Sequence, residues 1–539
     1  MMNKQLSNEY LIWSCILIGI LLPLSILFFD SPERDECYQA LCVLEYRRSP
    51  LAPLTFFNGF VWLKLFGITI LNLRILNLLC HIVSIGLGCL VFLRITSDRL
   101  LTAMLFMTMS TASQVWAMHI YNWDTGCYPF AMLCLVASLA FWNKPSWLRL
   151  ALLAVSTALL SLSRIPCVVG LPIISCIVAY RYRPNLKEMF VRTVFFVILY
   201  LSLSIIFLLL IYGSVEGILS AFSSENIITG HGVSDLDRYI ERIMQITPQL
   251  ATESMLPLLC MLAALIITDL RKKRLIVGIL FLFLIEGCLL FLILAMPVRT
   301  FFCLLWLPCM FLWLYPVLRN LHKEGFFCNP GYIEWLSVLF MCLPIIGSDG
   351  FQERFMVLPI LPVLAGVCYP YLKRYIRSCL LFLMFAAASM VLIKDAYYIS
   401  QGTEMIGETV PRLKGIMVDR QNASSICAQV KVYEEIRNKG MKMAVVGDNR
   451  YPGAFLLGTD MLVDLHVFHL GDMEDDKPMY ERELPKFDAL MVFYPVYYYQ
   501  DAISMSVNQK DNDDFEQFLI HKGFGKSEIL YPNFVMYTR

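Results

Sequence analysis

Charge is scarce in this chain. Only 16% of its 539 residues are Asp, Glu, Lys or Arg, and 58% are hydrophobic, whereas soluble domains carry about a quarter charged residues. That scarcity excludes a soluble globular enzyme. The net charge of +1 says nothing about nucleic acid by itself; no basic tail or arm is present, and no nucleic-acid partner is expected. The 18 cysteines form no CxxC pair, so zinc-ribbon and dithiol redox readings have no motif. Most of them, such as Cys80, Cys134, Cys176 and Cys288, sit inside apolar stretches, where a thiol behaves as a small apolar group. Cys427 stands alone in the C-terminal region, which therefore has no internal disulfide. Val446-Gly447-Asp448 resembles a strand end, but no G-x-G-x-x-G follows it, so no nucleotide site is read there. No repeat of about 20–50 residues is visible.

What fills the first three quarters is apolar sequence, in runs near the ~20 residues that cross a bilayer. About thirteen spans are expected, at 10–29, 70–93, 101–119, 126–142, 147–163, 165–180, 191–213, 254–269, 275–295, 300–318, 331–347, 355–372 and 378–394. The first is too long for a signal-peptide core, and no small-x-small cleavage site follows Phe29, so it is kept as an anchor. With the N-terminus inside, every inner loop is short and basic, for example Arg94 and Arg99, Lys144 and Arg149, and Arg271-Lys272-Lys273-Arg274. The outer loops at 30–69, 120–125, 214–253, 296–299 and 348–354 and the tail from 395 then hold nearly all the acids, as the positive-inside rule asks.

The loop at 30–69 concentrates chemistry. Asp30, Glu33, Asp35 and Glu36 come first, then Arg47-Arg48. Asp35 to Arg47 has helical character, Pro50 and Pro53 break it, and Leu54 to Leu65 resumes with Phe56, Phe57 and Phe60. That second stretch is too short to cross, so two interfacial helices joined by a proline hinge are expected. The tail, 395–539, alternates helical runs such as Ile426 to Asn438 with strand runs at Met443–Val446, Ala489–Phe493 and Phe534–Tyr537, the pattern of a small α/β domain.

Arg47, Arg48, Arg164, Arg299 and Arg354 lie at or near outer ends of spans, where the positive-inside rule disfavours them. A guanidinium fork pairs with phosphate bidentately and stays charged, so the set fits a lipid phosphate at headgroup depth; taken singly, each also fits snorkelling or pairing with a nearby acid. Asp35 and Glu36 could act as general base toward an acceptor hydroxyl, although an acidic pair is more often a solvated face. Asp124, in the short turn 121–126, is a second candidate acid or a plain turn residue. Glu286 stands in mid-span, either functional or protonated and bonded to a neighbouring helix. His81 and His119 read as helix-packing residues.

Asp35-Glu36-Cys37-Tyr38, an Arg-Ser-Pro step at 48–50, Leu65-Phe66-Gly67 and then Arg74 resemble the first loop of the family 39 glycosyltransferases of the GT-C superfamily, which include the lipid A aminoarabinose transferases and the protein O-mannosyltransferases. Arg164-Ile165-Pro166 and Arg354 with Pro359 and Pro362 resemble two later steps of the same family. The resemblance implies a polytopic helical GT-C-like domain over 1–394 and a soluble extracytoplasmic α/β domain over 395–539. It implies transfer of a sugar from a polyprenyl-phosphate donor, on the outer face of what would be a bacterial inner membrane, to a lipid, glycan or protein acceptor. Asp35 would be the catalytic carboxylate with Glu36 beside it. Tyr38, Arg47, Arg48, Asp124, Arg164, Arg299 and Arg354 would surround the substrate, and opposite-face attack would invert the anomeric carbon. Ser49 departs from the aminoarabinose transferases, which carry a basic residue just before the loop proline; Arg48 or Arg47 would supply that charge from one or two positions away. No cofactor is read from the residues, and a divalent metal stays open. The rival readings are a lipid-linked glycan ligase or polymerase, which would share the arginines but lack the Asp35-Glu36 loop, and a transporter or flippase, which would show an internal repeat and mid-membrane polar residues.

Overall fold

The computed structural model describes residues 2–29, 31–32, 34–113, 120–222, 358–367, 369, 400, 402–447, 449–462, 473–494, 509–527 and 533–539. The spans expected at 254–269, 275–295, 300–318, 331–347 and 378–394 lie outside them, as do Asp30, Glu33, His119, Glu286, Arg299, Arg354 and the expected boundary at 394/395.

Among the described residues the apolar runs lie in helices, the run expected at 165–180 opening as a 3₁₀ stretch, Ile165–Val169. In chain order they are α1 (Met2–Ile26), α2 (Arg34–Leu44), α3 (Pro53–Phe66), α4 (Ile70–Thr96), α5 (Arg99–Ala112), α6 (Tyr128–Asn143), α7 (Trp147–Ser163), α8 (Gly170–Arg181), α9 (Leu186–Tyr212) and α10 (Val215–Ala221). Asn8–Ser25, Ile70–Thr96 and Leu186–Tyr212 are long and apolar enough to cross a membrane. Boundaries follow local chemistry. Ser146 caps α7 by accepting the Arg149 N–H, and Asn185 caps α9 by accepting that of Glu188. Beyond Arg192, α9 carries no charged residue, and the helix leaves Phe190, Ile198, Leu201, Ile205 and Leu210 exposed, the surface of a helix built for lipid rather than water. α1 lies along α5, α6 along α7, and α7 along α9. Leu358–Val367 packs into the same core as α4, α6 and α7. His81 is buried there with its ring 6.1 Å from that of Tyr128.

The tail is the expected α/β unit. It opens with the antiparallel pair β1 (Thr403–Met405) and β2 (Met417–Asp419), followed by α11 (Arg420–Asn438), β3 (Met443–Gly447), α12 (Arg450–Leu457) and β4 (Asp460–Met461). Then come α13 (Met473–Glu483), β5 (Ala489–Phe493), α14 (Gln509–His521), β6 (Gly525–Lys526) and β7 (Val535–Thr538). The five-stranded sheet runs β4-β3-β5-β7-β6, parallel on the β4-β3-β5 side and antiparallel around β7. β3 and β5 are buried along their whole length because both faces are covered. Their alternation sorts residues between two cores. Ala444, Val446, Leu490 and Val492 meet Tyr480, Phe515 and Leu519 of α13 and α14. Met443, Val445, Met491 and Phe493 belong to a core that also holds Cys37, Tyr38, Val43, Phe56 and Leu73. One face of the tail sheet therefore shares its core with the loop between α1 and α4. Gly447 ends β3 at φ +100° with its α-carbon against the Phe493 carbonyl, so its glycine serves close strand packing.

A second tie joins the exit of α1 to β2. The Met417 N–H donates to the Phe28 carbonyl at 2.7 Å, and the Ser31 hydroxyl donates to Asp419 at 2.9 Å. Asp419 also caps α11 through the Asn422 N–H at 3.0 Å. Burial alone would raise its pKa, but the bonds from the Asn422 N–H, the Ser31 hydroxyl and the Asn422 side chain outweigh it and hold the carboxyl below the ordinary carboxylate range. Its folded pKa thus lies below its unfolded one, so its stabilisation is present above the unfolded value near ~3.9 and is lost as pH falls through the folded value. Asp419→Ala is expected to cost about 1 kcal/mol, the typical worth of a helix cap, with the loss shrinking in denaturation measurements as pH falls through the folded pKa. A penalty that persists unchanged in acid would assign the effect to packing instead.

Candidate functional site

The helices end, on the tail's side, in a set of short pieces built around α2. This helix is not apolar by composition, yet residues 36–43 are all buried, enclosed by α3, α4 and α12. Its first turn carries Asp35 and Glu36, and acids there suit the positive end of a helix. The two carboxylates part company. Asp35 is exposed. Glu36 is 2% exposed and meets the fully buried Arg74 of α4.

That pair is a bidentate fork. Arg74 Nε donates to Glu36 Oε1 at 2.8 Å and Nη2 to Oε2 at 2.7 Å. Its remaining nitrogen, Nη1, donates to the carbonyls of Phe29 at 2.7 Å and Leu27 at 3.3 Å. One guanidinium therefore binds the exit of α1, the start of α2 and the start of α4. A buried charge must be paired and hydrogen-bonded to be tolerated, and both members of this one are.

The Leu65-Phe66-Gly67 turn closes the same frame. Gly67 has φ +103°, a conformation that disfavours side chains. The Asn72 side-chain amide donates to the Phe66 and Gly67 carbonyls, both at 2.8 Å, and Trp62 Nε1 donates to the Asn72 carbonyl at 2.8 Å. Thr69 caps α4. Along α3, Val61, Leu65 and Phe66 are exposed beside Lys64, an apolar edge with a cation, as an interfacial helix presents.

Between α2 and α3, Tyr46-Arg47-Arg48 form one 3₁₀ turn. Tyr46 is buried against Phe57 and Phe60, with ring centroids at 5.5 and 4.7 Å. Arg47 is exposed; its Nε donates to the Tyr46 hydroxyl at 3.2 Å. Arg48 is exposed and reaches Glu45 at 3.5 Å, a surface pair of little energetic weight. Both guanidiniums are thus placed where an anion can approach.

Asp124 and Arg164, singled out separately from the sequence, face each other as a buried ion pair. The turn bonds at 122–125 come instead from Asn122, whose Oδ1 accepts the N–H groups of Asp124 and Thr125, each at 2.9 Å. These turns are fastened to α3 and the segment before it: the Thr55 hydroxyl donates to the Ser163 carbonyl at 2.8 Å, Tyr121 to the Thr55 carbonyl at 2.7 Å, and the Ile165 N–H to the Leu51 carbonyl at 3.0 Å.

Tyr38 is a joint rather than a surface group. It is 3% exposed and packs edge-on against Trp123 at 6.3 Å and Tyr451 of α12 at 5.1 Å. Burial, reinforced by the neighbouring Cys42, pushes its phenol well above the usual range. Burial likewise pushes Cys42 up to about 12, so neither group is an acid or nucleophile near neutral pH.

The structure therefore gathers Asp35, Glu36 and Tyr38 on one helix, with Arg47 and Arg48 on the turn that follows. Asp124 and Arg164 form their own pair behind α3. The sequence reading missed Arg450 and Tyr451 of the tail, which no local pattern connects to α2. Among the described residues no group of three or more His, Cys, Asp or Glu side chains could hold a metal ion.

No protein-family model and no curated protein matches the chain. Among solved structures it aligns over 98% of its length with 97% of the crystal structure of ArnT from Cupriavidus metallidurans in the apo state, at 12% identity and a TM-score of 0.45. The crystal structure of the same protein bound to undecaprenyl phosphate aligns over 98% of this chain and 97% of that one, at 12% identity and a TM-score of 0.43.

Proposed function

We propose that this chain is a membrane glycosyltransferase that moves a sugar from a polyprenyl-phosphate donor to a hydroxyl on a lipid, glycan or protein acceptor. One observation carries the reading. The residues behind the family resemblance, Glu36, Phe66-Gly67 and Arg74, are bonded into a single frame through the Glu36–Arg74 fork and Asn72, and that frame leaves Asp35 exposed at its edge. A frame of this kind holds one carboxylate by burying its neighbour.

In this reading Arg47 and Arg48, joined by Arg299 and Arg354 on the strength of their sequence positions, grip the lipid phosphate and stabilise its charge as the glycosidic C–O bond breaks. Asp35 accepts the proton of the acceptor hydroxyl as its oxygen bonds to the anomeric carbon from the opposite face, so the sugar inverts. The polyprenyl phosphate leaves with its own oxygen. Glu36 positions Asp35, and Asp124 holds Arg164 at the rear wall of the site. The reaction belongs to the outer face of the membrane, on the side of the tail.

The test is transfer of a radiolabelled sugar from polyprenyl-phosphate donors to membrane acceptors by the purified chain. Replacing Arg47 and Arg48 together with Ala removes charge-assisted bonds worth about 1.5–3 kcal/mol each, so donor KM should rise by ~10-fold or more. Absence of transfer from every polyprenyl-phosphate donor, or an unmoved donor KM in the double variant, would overturn the assignment.

A further inference from the structure

Within the core that the tail shares with α2, one side chain touches both Tyr38 and the residue before Asp35. Tyr451, the second residue of α12, is 1% exposed and sets its ring edge-on to Tyr38 of α2 at 5.1 Å and 61°. On the same ring lies the guanidinium of Arg34, 5.7 Å from the centroid, and Arg34 is the residue before Asp35. The Tyr451 hydroxyl is itself held, accepting from Arg450 Nη2 at 2.9 Å, while Arg450 Nη1 donates to the Gly447 carbonyl at 3.2 Å. Gly447 ends the buried strand β3, so the ring is anchored to the rigid centre of the tail sheet. Arg412 adds a bond to the Phe455 carbonyl one turn further along α12. Ring-to-ring and cation-to-ring contacts are directional, so they fix orientation as well as adding burial.

We infer that Tyr451 is a positioning residue that sets the first turn of α2, and with it Asp35, so that the tail acts on the rate of transfer rather than on the choice of acceptor. This rests on the glycosyltransferase reading for its kinetic consequence but not for its structural one. Glu36 fixes the turn from the membrane side and Tyr451 fixes it from the tail side. Between them the turn that carries Asp35 is held from both sides.

The experiment uses the full chain with Tyr451→Ala and Tyr451→Phe, and reads two quantities. Amide hydrogen exchange over residues 34–38 should speed up at least ~10-fold in the Ala variant, because local opening of the turn is no longer resisted, and return to the parental rate in the Phe variant, which keeps the ring. In the transfer assay kcat should fall at least ~10-fold in the Ala variant with donor KM nearly unchanged, and recover with Phe, the pattern of an interaction made in the transition state and not in ground-state binding. If Tyr451→Ala unfolds the tail, Arg34→Met, which removes the cation over the ring and leaves Tyr451 in place, gives the same exchange readout. Exchange at 34–38 unchanged in a folded variant overturns the inference even if the parent enzyme transfers sugar. A rise in acceptor KM with kcat unchanged overturns it too, and makes the tail an acceptor-selecting element. A parent chain that transfers nothing, with faster exchange in the Ala variant, removes the glycosyltransferase reading and leaves the clamp standing.

Discussion

Asp35→Asn is expected to reduce sugar transfer by ~100-fold or more, the usual range for a lost general base being about 10²- to 10⁴-fold, while leaving the fold intact. The separation of the two effects follows from where the side chain sits. Asp35 is exposed, so replacing its carboxylate with an amide of the same shape opens no cavity and strands no buried partner. What is lost structurally is a favourable charge near the start of α2, worth about 0.5 kcal/mol at a solvated helix end. The amide cannot accept a full proton, so the acceptor hydroxyl keeps its hydrogen as it approaches the anomeric carbon. Donor binding should survive, since the arginines and the lipid chain are untouched: kcat falls and donor KM does not. Measured transfer within a few-fold of the parent, with unfolding temperature and yield unchanged, would remove Asp35 from the reacting centre.

Much of the frame around this residue was readable in advance. Pro53 predicted the break between the loop helices and stands at the start of α3. The span expected at 147–163 matches α7, Trp147–Ser163, while the serine cap that starts it, Ser146, emerges only from the structure. The three strongest strand runs of the tail became β3, β5 and β7, because continuous apolar stretches of about five residues fit a sheet covered on both faces. What the sequence could not reveal is pairing. The sequence offers Arg74 only as the arginine that follows Leu65-Phe66-Gly67 and Glu36 only as half of an acidic pair, and only the structure joins them. Asp124 and Arg164 each read as substrate-facing on their own, but they lie in turns forty residues apart whose approach depends on how α6 and α7 pack. Tyr451 carries no local signal at all. Its meaning comes from Tyr38 and Arg34, more than four hundred positions earlier, and periodicity has no reach over that distance. Short-range patterns encode helices, strands and turns; the partner of a buried polar group is a property of the packed chain.

The Glu36–Arg74 fork yields the opposite signature to Asp35. Glu36→Gln keeps the shape of the side chain but leaves a guanidinium uncompensated at a site with no exposure to solvent. Removing one partner of a buried pair typically costs about 3–5 kcal/mol, and Arg74→Met should cost a similar amount by stranding the carboxylate. Activity should fall in both, together with yield and unfolding temperature. The decisive variant is the double one, Glu36→Leu with Arg74→Met. If the fork served only to cancel its own charges, an apolar pair would recover the whole loss, since replacing buried ion pairs by apolar groups is often neutral. Here recovery should be partial. Arg74 also donates to the carbonyls of Leu27 and Phe29, and both lose that donor in the double variant, at about 1 kcal/mol for each hydrogen bond. Stability should therefore settle between the parent and the single variants, with a coupling energy of clear sign in the double-mutant cycle. Activity should not follow stability back up, because the apolar pair no longer ties the exit of α1 to the turn that carries Asp35. A double variant with parental stability and parental transfer would mean that the fork neither braces α1 nor aims the carboxylate beside it.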